Sequence, residues 1–396
     1  MSIKKSSCIL HVSTYPPRKC GIATFTQDLL NAMNKRFNPS ITSKILVMNN
    51  EDSRKFEYPK EVLFRINDSE TQEYVDVARK INEMDEIKVV NVQHEFKIFG
   101  FDYGENLLPF LETLKKPSFI TFHTVLPAPS EKRKEIIRSI AENSTCLIVL
   151  NNTAVEIFRN DYGLKDTNIE VVPHGIHEVS FEPGIVSKKK LGYENRILLS
   201  SFGFLRSGKR RKSSGRGYEY FLEALPEVIE KFPNVLYLII GETHPVIRKK
   251  EGEKYRNFLK RKIRVLGLEK HVKFINKYVS LDELLLYLKA TDIYISSSLN
   301  PEQISSGTLS YAMGCGCAVV STPFLHAKDA VTLDRGILLE DFKKPELFSE
   351  AVIKILSNSS LKEKMEKNAY EYTRHMTWPR VAESYMEVFN KYAKAF

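Results

Sequence analysis

Tryptophan occurs once and cysteine five times in 396 residues. The cysteines are Cys8, Cys20, Cys146, Cys315 and Cys317, with no C-x-x-C among them. Their odd count and spacing read as reduced thiols and exclude a disulfide framework. No apolar run approaches the roughly 20 residues needed to span a bilayer. The opening MSIKKSSCILHVSTYPP pairs a basic start with an apolar stretch too short and too β-like for a signal peptide, so a cytoplasmic protein is expected. No G-x-G-x-x-G and no G-x-x-x-x-G-K-[ST] occurs, which argues against an NAD site and a P-loop. With Gly 18, Pro 17, 42% hydrophobic and 27% charged residues, the chain is neither collagenous, low-complexity nor wholly disordered.

What the chain does have is length for two domains and an excess of positive charge. At roughly 100–200 residues per domain, two domains of similar size are the simplest division, each large enough to bury a core. Lys plus Arg number 59 against 49 Asp plus Glu, a formal charge of +10. That favours anionic partners such as nucleotides, phosphosugars, anionic lipid or nucleic acid, without choosing among them.

Short β-branched runs alternate with longer amphipathic stretches. CILHVST, KVVNVQHE, SFITFHT, CLIVLN and IEVVPHG fall in the first half; RILLSSFGFL, VLYLIIGE, HVKFINKY, DIYISSS and CAVVSTP fall in the second. Runs apolar on both faces suit central strands of parallel sheets covered by helices, such as those over Gln27–Met33 and Leu281–Leu288. The expected fold class is α/β, with doubly wound Rossmann-like sheets occurring twice. A break lies near Gly175–Lys190, where Gly, Pro and charge separate two groups of strands. The expected domains are residues 1–180 and 190–375. Two such domains imply a cleft, with ligands outside the carboxyl ends of the strands.

The residues that follow the strands are therefore the candidates. After the first strand, a turn with Pro16, Pro17 and Gly21 opens a helix near Ala23. Bare amides at a helix start bind phosphate or carboxylate, and Gly21 lets a ligand approach the backbone closely; a plain strand-to-helix loop fits these residues equally well. His94 and Glu95 (VQHEF) and His123 (TFHT) end two further strands; each histidine can bond a sugar hydroxyl or a backbone carbonyl while neutral, or be purely structural. In the second half Gly203-Phe-Leu-Arg206 runs into the basic stretch RSGKRRKSSGR. Arg206 and Lys209 are expected to clamp a diphosphate through charge-assisted bonds, with Arg210–Lys212 in solvent. The densest segment is NPEQISSGTLSYAMGCG after DIYISSS. Ser305, Ser306, Gly307 and Thr308 read as a helix start with free amides, and Glu302 precedes it. Cys315 and Cys317 lack a second pair, so no metal site is expected.

In this order the segments resemble retaining nucleotide-sugar glycosyltransferases of the GT-B fold, in the large family four (glycosyl transferases group 1). STYPPRKCGIATFT, TFHT, VVPHGI, FGFLRSGK, GETHP, PEQISSGTLSYAMGCGCAVVSTP and HMTWPRVAESYMEVF carry the resemblance, which covers nearly the whole chain. It implies a helix over 376–396 returning across the N-terminal domain. Gly21 would face the donor phosphates, His123 the transferred sugar, and Arg206 and Lys209 the diphosphate. Gly203, Ser305, Ser306, Gly307 and Thr308 would line the donor, and Glu302 would match the first acid of the family's E-x7-E motif. Acceptor specificity would reside in N-terminal loops, His94 and Glu95 beside Lys97–Asn106 and Leu126–Lys132. The chain departs from the pattern in three places. Counting back from AMGCG puts Tyr311 at the second Glu and Gln303 at the first. Phe204 stands where the family's Arg follows the strand glycine. The expected Lys-Gly before the helix is Arg216-Gly217, so Lys209 and Arg216 compete for the phosphate role.

The resemblance implies transfer of a hexose, mannose or glucose, from a GDP- or UDP-linked donor to a hydroxyl of a saccharide or glycoconjugate, with retention. No cofactor is expected, and no metal, since no paired-Asp motif stands out; closure of the two domains would assemble the site. A sugar phosphorylase or nucleotide-sugar epimerase shares the architecture and would be separated by phosphate dependence. A basic nucleic-acid-binding protein is the reading from another class. No RNP-like run supports it, and the basic helix expected over Arg248–Arg264 carries Glu251 and Glu253 and reads as a solvated face. Peripheral contact with an anionic membrane stays open.

Overall fold

The computed structural model describes residues 7–207 and 215–396. The chain divides into two compact units, one of residues Met1–Gly175 with Met376–Phe396, the other of Ile176–His375.

The first unit is built on seven strands: β1 (Ser7–Ser13), β2 (Ile41–Asn49), β3 (Val62–Asn67), β4 (Ile87–His94), β5 (Ser118–Phe122), β6 (Cys146–Val149) and β7 (Ile169–Val171). All pair in parallel in the order β3-β2-β1-β4-β5-β6-β7. The order reverses between β1 and β4, the position at which doubly wound sheets open a crevice at their carboxyl ends. The second unit repeats the plan with β8 (Ile197–Phe202), β9 (Val235–Ile240), β10 (Val272–Ile275), β11 (Ile293–Ser296), β12 (Ala318–Ser321) and β13 (Gly336–Leu338). Their order is β10-β9-β8-β11-β12-β13, again all parallel, with the reversal between β8 and β11.

The doubly wound α/β fold expected from the alternation is present twice. Three strands go beyond the ten apolar runs. β2 begins polar and is buried continuously only over its last five residues. β3 and the three-residue β13 are sheet edges; β3 alternates half-buried and exposed positions, so neither presents a continuous apolar run. Gly252, at φ +61, splits the expected helix over Arg248–Arg264 into Pro245–Glu251 and Lys254–Val265. Within the expected break, residues Gly184–Leu191 form a helix.

In the first unit the C-terminal helix Trp378–Ala393 completes the core. Its Val381, Ala382, Tyr385 and Phe389 pack with Phe25, Leu29 and Met33 of the helix Gly21–Phe37. Trp378 closes this seam: a Cβ on Gly175 would lie 2.3 Å from its indole, and Phe25 meets it edge-on at 5.1 Å. In the second unit, the helix Tyr218–Lys231 supplies Phe221, Leu222, Leu225 and Val228 to a core under β8, β9 and β11.

Candidate functional site

The carboxyl ends of β1, β4 and β5 carry the candidate residues of the first unit. The helix Gly21–Phe37 starts two residues earlier than the expected Ala23 and is capped by Cys20, whose Sγ accepts from Ala23 N at 3.3 Å and lies 3.2 Å from Thr14 Oγ1. A Cβ on Gly21 would meet nothing within 4 Å. A side chain at Gly21 would thus enter open space beside a positive helix end, where the cap takes the Ala23 and Thr24 amides.

His123 follows β5. Its ring lies edge-on to Phe25 at 4.6 Å, its Nε2 is 2.9 Å from Gln93 Oε1, and its amide donates to His94 O at 3.1 Å. Burial pushes its pKa down to about 3, with His174 and His94 adding to the shift, so the ring is neutral. His94 is completely buried, 4.6 Å from the Phe122 ring and stacked on Phe99 at 5.9 Å. Burial holds its pKa near 4. This places it as packing behind the strand ends. Glu95 is bound into its own loop: Oε1 accepts from Phe96 N at 2.9 Å and Oε2 from Thr124 Oγ1 at 2.7 Å. Of the two residues expected on the acceptor side, neither presents an open polar edge of the kind Gly21 offers.

The candidate residues of the second unit lie at the ends of β8, β9 and β11. Gly203, at φ +126, follows β8; a Cβ there would sit 2.5 Å from Arg216 Nη2 and 3.4 Å from Thr308 Cγ2. The missing side chain thus lets the Arg216 guanidinium lie over the backbone, next to the start of the helix Gly307–Gly314. The loop around it is held by its backbone: Arg216 N donates to Arg206 O at 3.2 Å, Ser297 Oγ donates to Arg216 O at 2.5 Å, and Leu299 N donates to Gly215 O at 3.0 Å. Gly217 takes a left-handed φ of +60 because a Cβ there would stand 2.5 Å from Ser297 O. Lys209 lies outside the described residues.

The helix Gly307–Gly314 begins as the sequence suggested. Ser306 caps it, accepting from Leu309 N at 3.3 Å, while its own amide donates to His326 Nδ1 at 2.9 Å and its hydroxyl lies 3.1 Å from Thr308 Oγ1. Ser305 is half-buried beside it, its carbonyl taking the Gln303 amide at 3.0 Å. Gln303 is stitched into the loop, since Ser298 Oγ also donates to its Oε1 at 2.7 Å. Glu302 is half-buried, its amide held by Asn300 Oδ1 at 3.2 Å. Cys315 and Cys317 are free, and burial keeps the Cys315 thiol protonated with its pKa pushed up to about 12. No cluster of three or more metal-ligating side chains occurs among the described residues.

Two neighbours escaped the sequence reading. His244 lies 5.1 Å from the Phe204 ring, and burial followed by the nearby Arg206 charge lowers its pKa to about 4. Gln93 holds His123. Its signal is visible in KVVNVQH, where Asn91 and Gln93 place polar side chains on one face of an otherwise apolar strand.

Comparison with known proteins bears on this geometry. The family model described as glycosyl transferases group 1 matches residues 209–372. An uncharacterized glycosyltransferase of Methanocaldococcus jannaschii is 28% identical over 251 residues, 62% of this chain and 58% of that protein. Spore coat protein SA of Bacillus subtilis is 26% identical over 185 residues, 46% of this chain and 47% of that protein. The chain thus spans about half the length of these curated relatives. Among solved structures, Anabaena HepE in complex with UDP superposes with a TM-score of 0.75 at 14% identity, covering 97% of this chain and 99% of that one; the same protein has also been solved with UDP-glucose. No described helix is long and apolar enough to cross a membrane. Residues 209–372 thus resemble the group 1 glycosyl transferases, and the fold of the chain is GT-B.

Proposed function

We propose that the protein is a retaining hexosyltransferase that moves a hexose from a nucleoside diphosphate sugar to a hydroxyl of a saccharide or glycoconjugate. The observation that carries the reading is the Arg216 guanidinium lying over Gly203, against Thr308 at the start of the helix Gly307–Gly314. A fixed cation and a helix amino end at a strand-order reversal suit a diphosphate. A related fold that holds UDP and UDP-glucose makes a uridine donor the first candidate, with GDP sugars the second.

In the proposed reaction, the bond from the anomeric carbon to the diphosphate oxygen breaks and the bond to the acceptor oxygen forms on the same face. The leaving diphosphate oxygen takes the acceptor's proton, so no nucleophilic side chain is required. The protein's contribution is electrostatic: Arg216 and Arg206, with Lys209, stabilise charge on the leaving group. Glu302 and neutral His123 hold sugar hydroxyls, and the amides at Gly21, Gly307 and Thr308 bind phosphate or sugar; the Ser306 amide, expected to be free, is taken by His326 Nδ1. No metal takes part.

A thermal-shift series with UDP, GDP, ADP and their glucose and mannose conjugates, with and without EDTA, tests this. A ligand at 100 times its dissociation constant stabilises the folded state by about 2.7 kcal/mol. A shift with one nucleoside diphosphate, unchanged by EDTA, identifies the donor base. No shift with any of them refutes the reading.

A further inference from the structure

A chain of buried polar side chains runs through the first unit from the C-terminal helix to His123. Tyr385, Thr121, Asn91, Gln93 and His11 have no solvent exposure, and His123 is 7% exposed. Tyr385 Oη lies 3.1 Å from Thr121 Oγ1, which donates to Asn91 Oδ1 at 3.3 Å. Asn91 Nδ2 lies 3.2 Å from His11 Nδ1, Gln93 Nε2 donates to Thr121 Oγ1 at 3.5 Å, and Gln93 Oε1 lies 2.9 Å from His123 Nε2.

The chemistry of these groups fixes the direction of each bond. A hydroxyl has one hydrogen. Thr121 gives its hydrogen to Asn91, so it can only accept from Tyr385 and from Gln93. Tyr385 is therefore a donor, and Gln93 turns its amide NH2 towards Thr121. The Gln93 carbonyl oxygen is then left facing His123. A carbonyl oxygen accepts only, so the hydrogen of the neutral imidazole stands on Nε2. The lone pair stands on Nδ1.

We infer that Gln93 is a positioning residue, held in one orientation by Thr121 and Tyr385, that fixes His123 as the Nε2–H tautomer and so presents Nδ1 as a hydrogen-bond acceptor for a hydroxyl of the transferred sugar. The tautomer follows from the bonds within the first unit; the sugar contact rests on the transferase reading. A positioned acceptor differs from the imidazolium or the opposite tautomer, each of which would offer a hydrogen at that edge. The arrangement also gives the C-terminal helix a second task besides covering the core, since its Tyr385 supplies the hydrogen that orients the far end of the chain.

The test is nitrogen-15 NMR of the full chain labelled on histidine, with the His123 signal assigned by loss in His123→Asn. In the wild-type protein, His123 is expected as the Nε2–H form from pH 8 to pH 7. In Gln93→Leu the two tautomers become mixed, and kcat falls at least tenfold while KM for the nucleotide sugar moves less than threefold. The wild-type tautomer is read without any variant, so a folding defect in Gln93→Leu leaves that arm of the test intact. A wild-type Nδ1–H form, or a Gln93→Leu protein that retains the pure Nε2–H form, overturns the inference. If the tautomer shifts as expected and kcat stays within threefold, the positioning stands and the assignment of His123 to the sugar fails.

Discussion

The same reversal of strand order is furnished differently in the two units. At the β1/β4 end, uncharged polar side chains bond to one another below the surface, in the chain from Tyr385 through Thr121 and Gln93 to His123. At the β8/β11 end, hydroxyls bond backbone as well as one another: Ser321 Oγ donates to Ser296 O at 3.3 Å and Thr322 Oγ1 to Ser298 O at 2.6 Å, beside the bond from Ser298 Oγ to Gln303 Oε1. Glycines at positive φ, Gly203, Gly217 and Gly241, then bring backbone and arginine close together. The first unit is suited to fixing the orientation of neutral groups. The second is suited to presenting positive charge and amides to an anion. In the proposed reaction the first set would serve the sugar and the second the diphosphate.

Acid is the strongest way to separate the units. His11, His94 and His123 are buried in the first unit with pKa values of about 3, about 4 and about 3 against an ordinary 6.5, each through loss of water. Below pH 6.5 the unfolded chain binds protons at these positions that the folded unit does not. Folded stability is thus complete above 6.5 and is lost as pH falls towards these values. The first unit therefore gives up stability as pH falls from 6.5 towards 4, the window these values set. In the second unit His244 is the described histidine with a lowered value. Trp378, the one tryptophan, lies in the first unit and reports on it directly. Its emission should change at a higher pH than hydrogen exchange over β8–β13. Coincident transitions would break the comparison.

Arg216→Ala is expected to lower turnover roughly 10²–10³-fold, the scale for removing one preorganised group that stabilises transition-state charge. The backbone bonds to Arg206 and Ser297 do not need the guanidinium. The melting temperature should therefore stay within 2 °C of wild type, measured in the same preparations. A large fall in melting temperature with modest loss of turnover would make Arg216 a structural residue.

How much of this was legible in the sequence differs along the same line. The second site could be read because it is local: Asn300–Thr308 follows one strand and opens one helix, and Gly203 follows another. Even there, the place of Arg216 needed the position of Gly203, and Lys209 lies outside the described residues. In the first unit Gly21 and His123 were visible as strand-end residues. The bond between Thr121 and Tyr385 spans 264 positions, and no local pattern announces it. The edge strands β3 and β13 were missed because edges are short and half-exposed, without the apolar run that marks a buried strand. His94 and His123 look alike in sequence as strand-end histidines; the structure separates their surroundings, His94 between Phe99 and Phe122 and His123 against Phe25 and Gln93.

The two glycines give the finest version of the comparison. Gly203→Ala puts a Cβ at φ +126 and 2.5 Å from Arg216 Nη2, so strain and displacement of the guanidinium come together. The expected cost is about 1–3 kcal/mol of stability, read by denaturant unfolding, with a loss of nucleotide affinity. Gly21→Ala adds its Cβ to open space in a helical first turn, where alanine is a better helix former than glycine. Its stability should be equal to or higher than wild type, within about 0.5 kcal/mol. If the Gly21 amide faces a ligand, affinity for the nucleotide sugar should nevertheless fall several-fold, because the added methyl group occupies space that no part of the protein uses. An unchanged affinity in Gly21→Ala would mean that the first turn is a strand-to-helix connection and that the anion is held by the second unit.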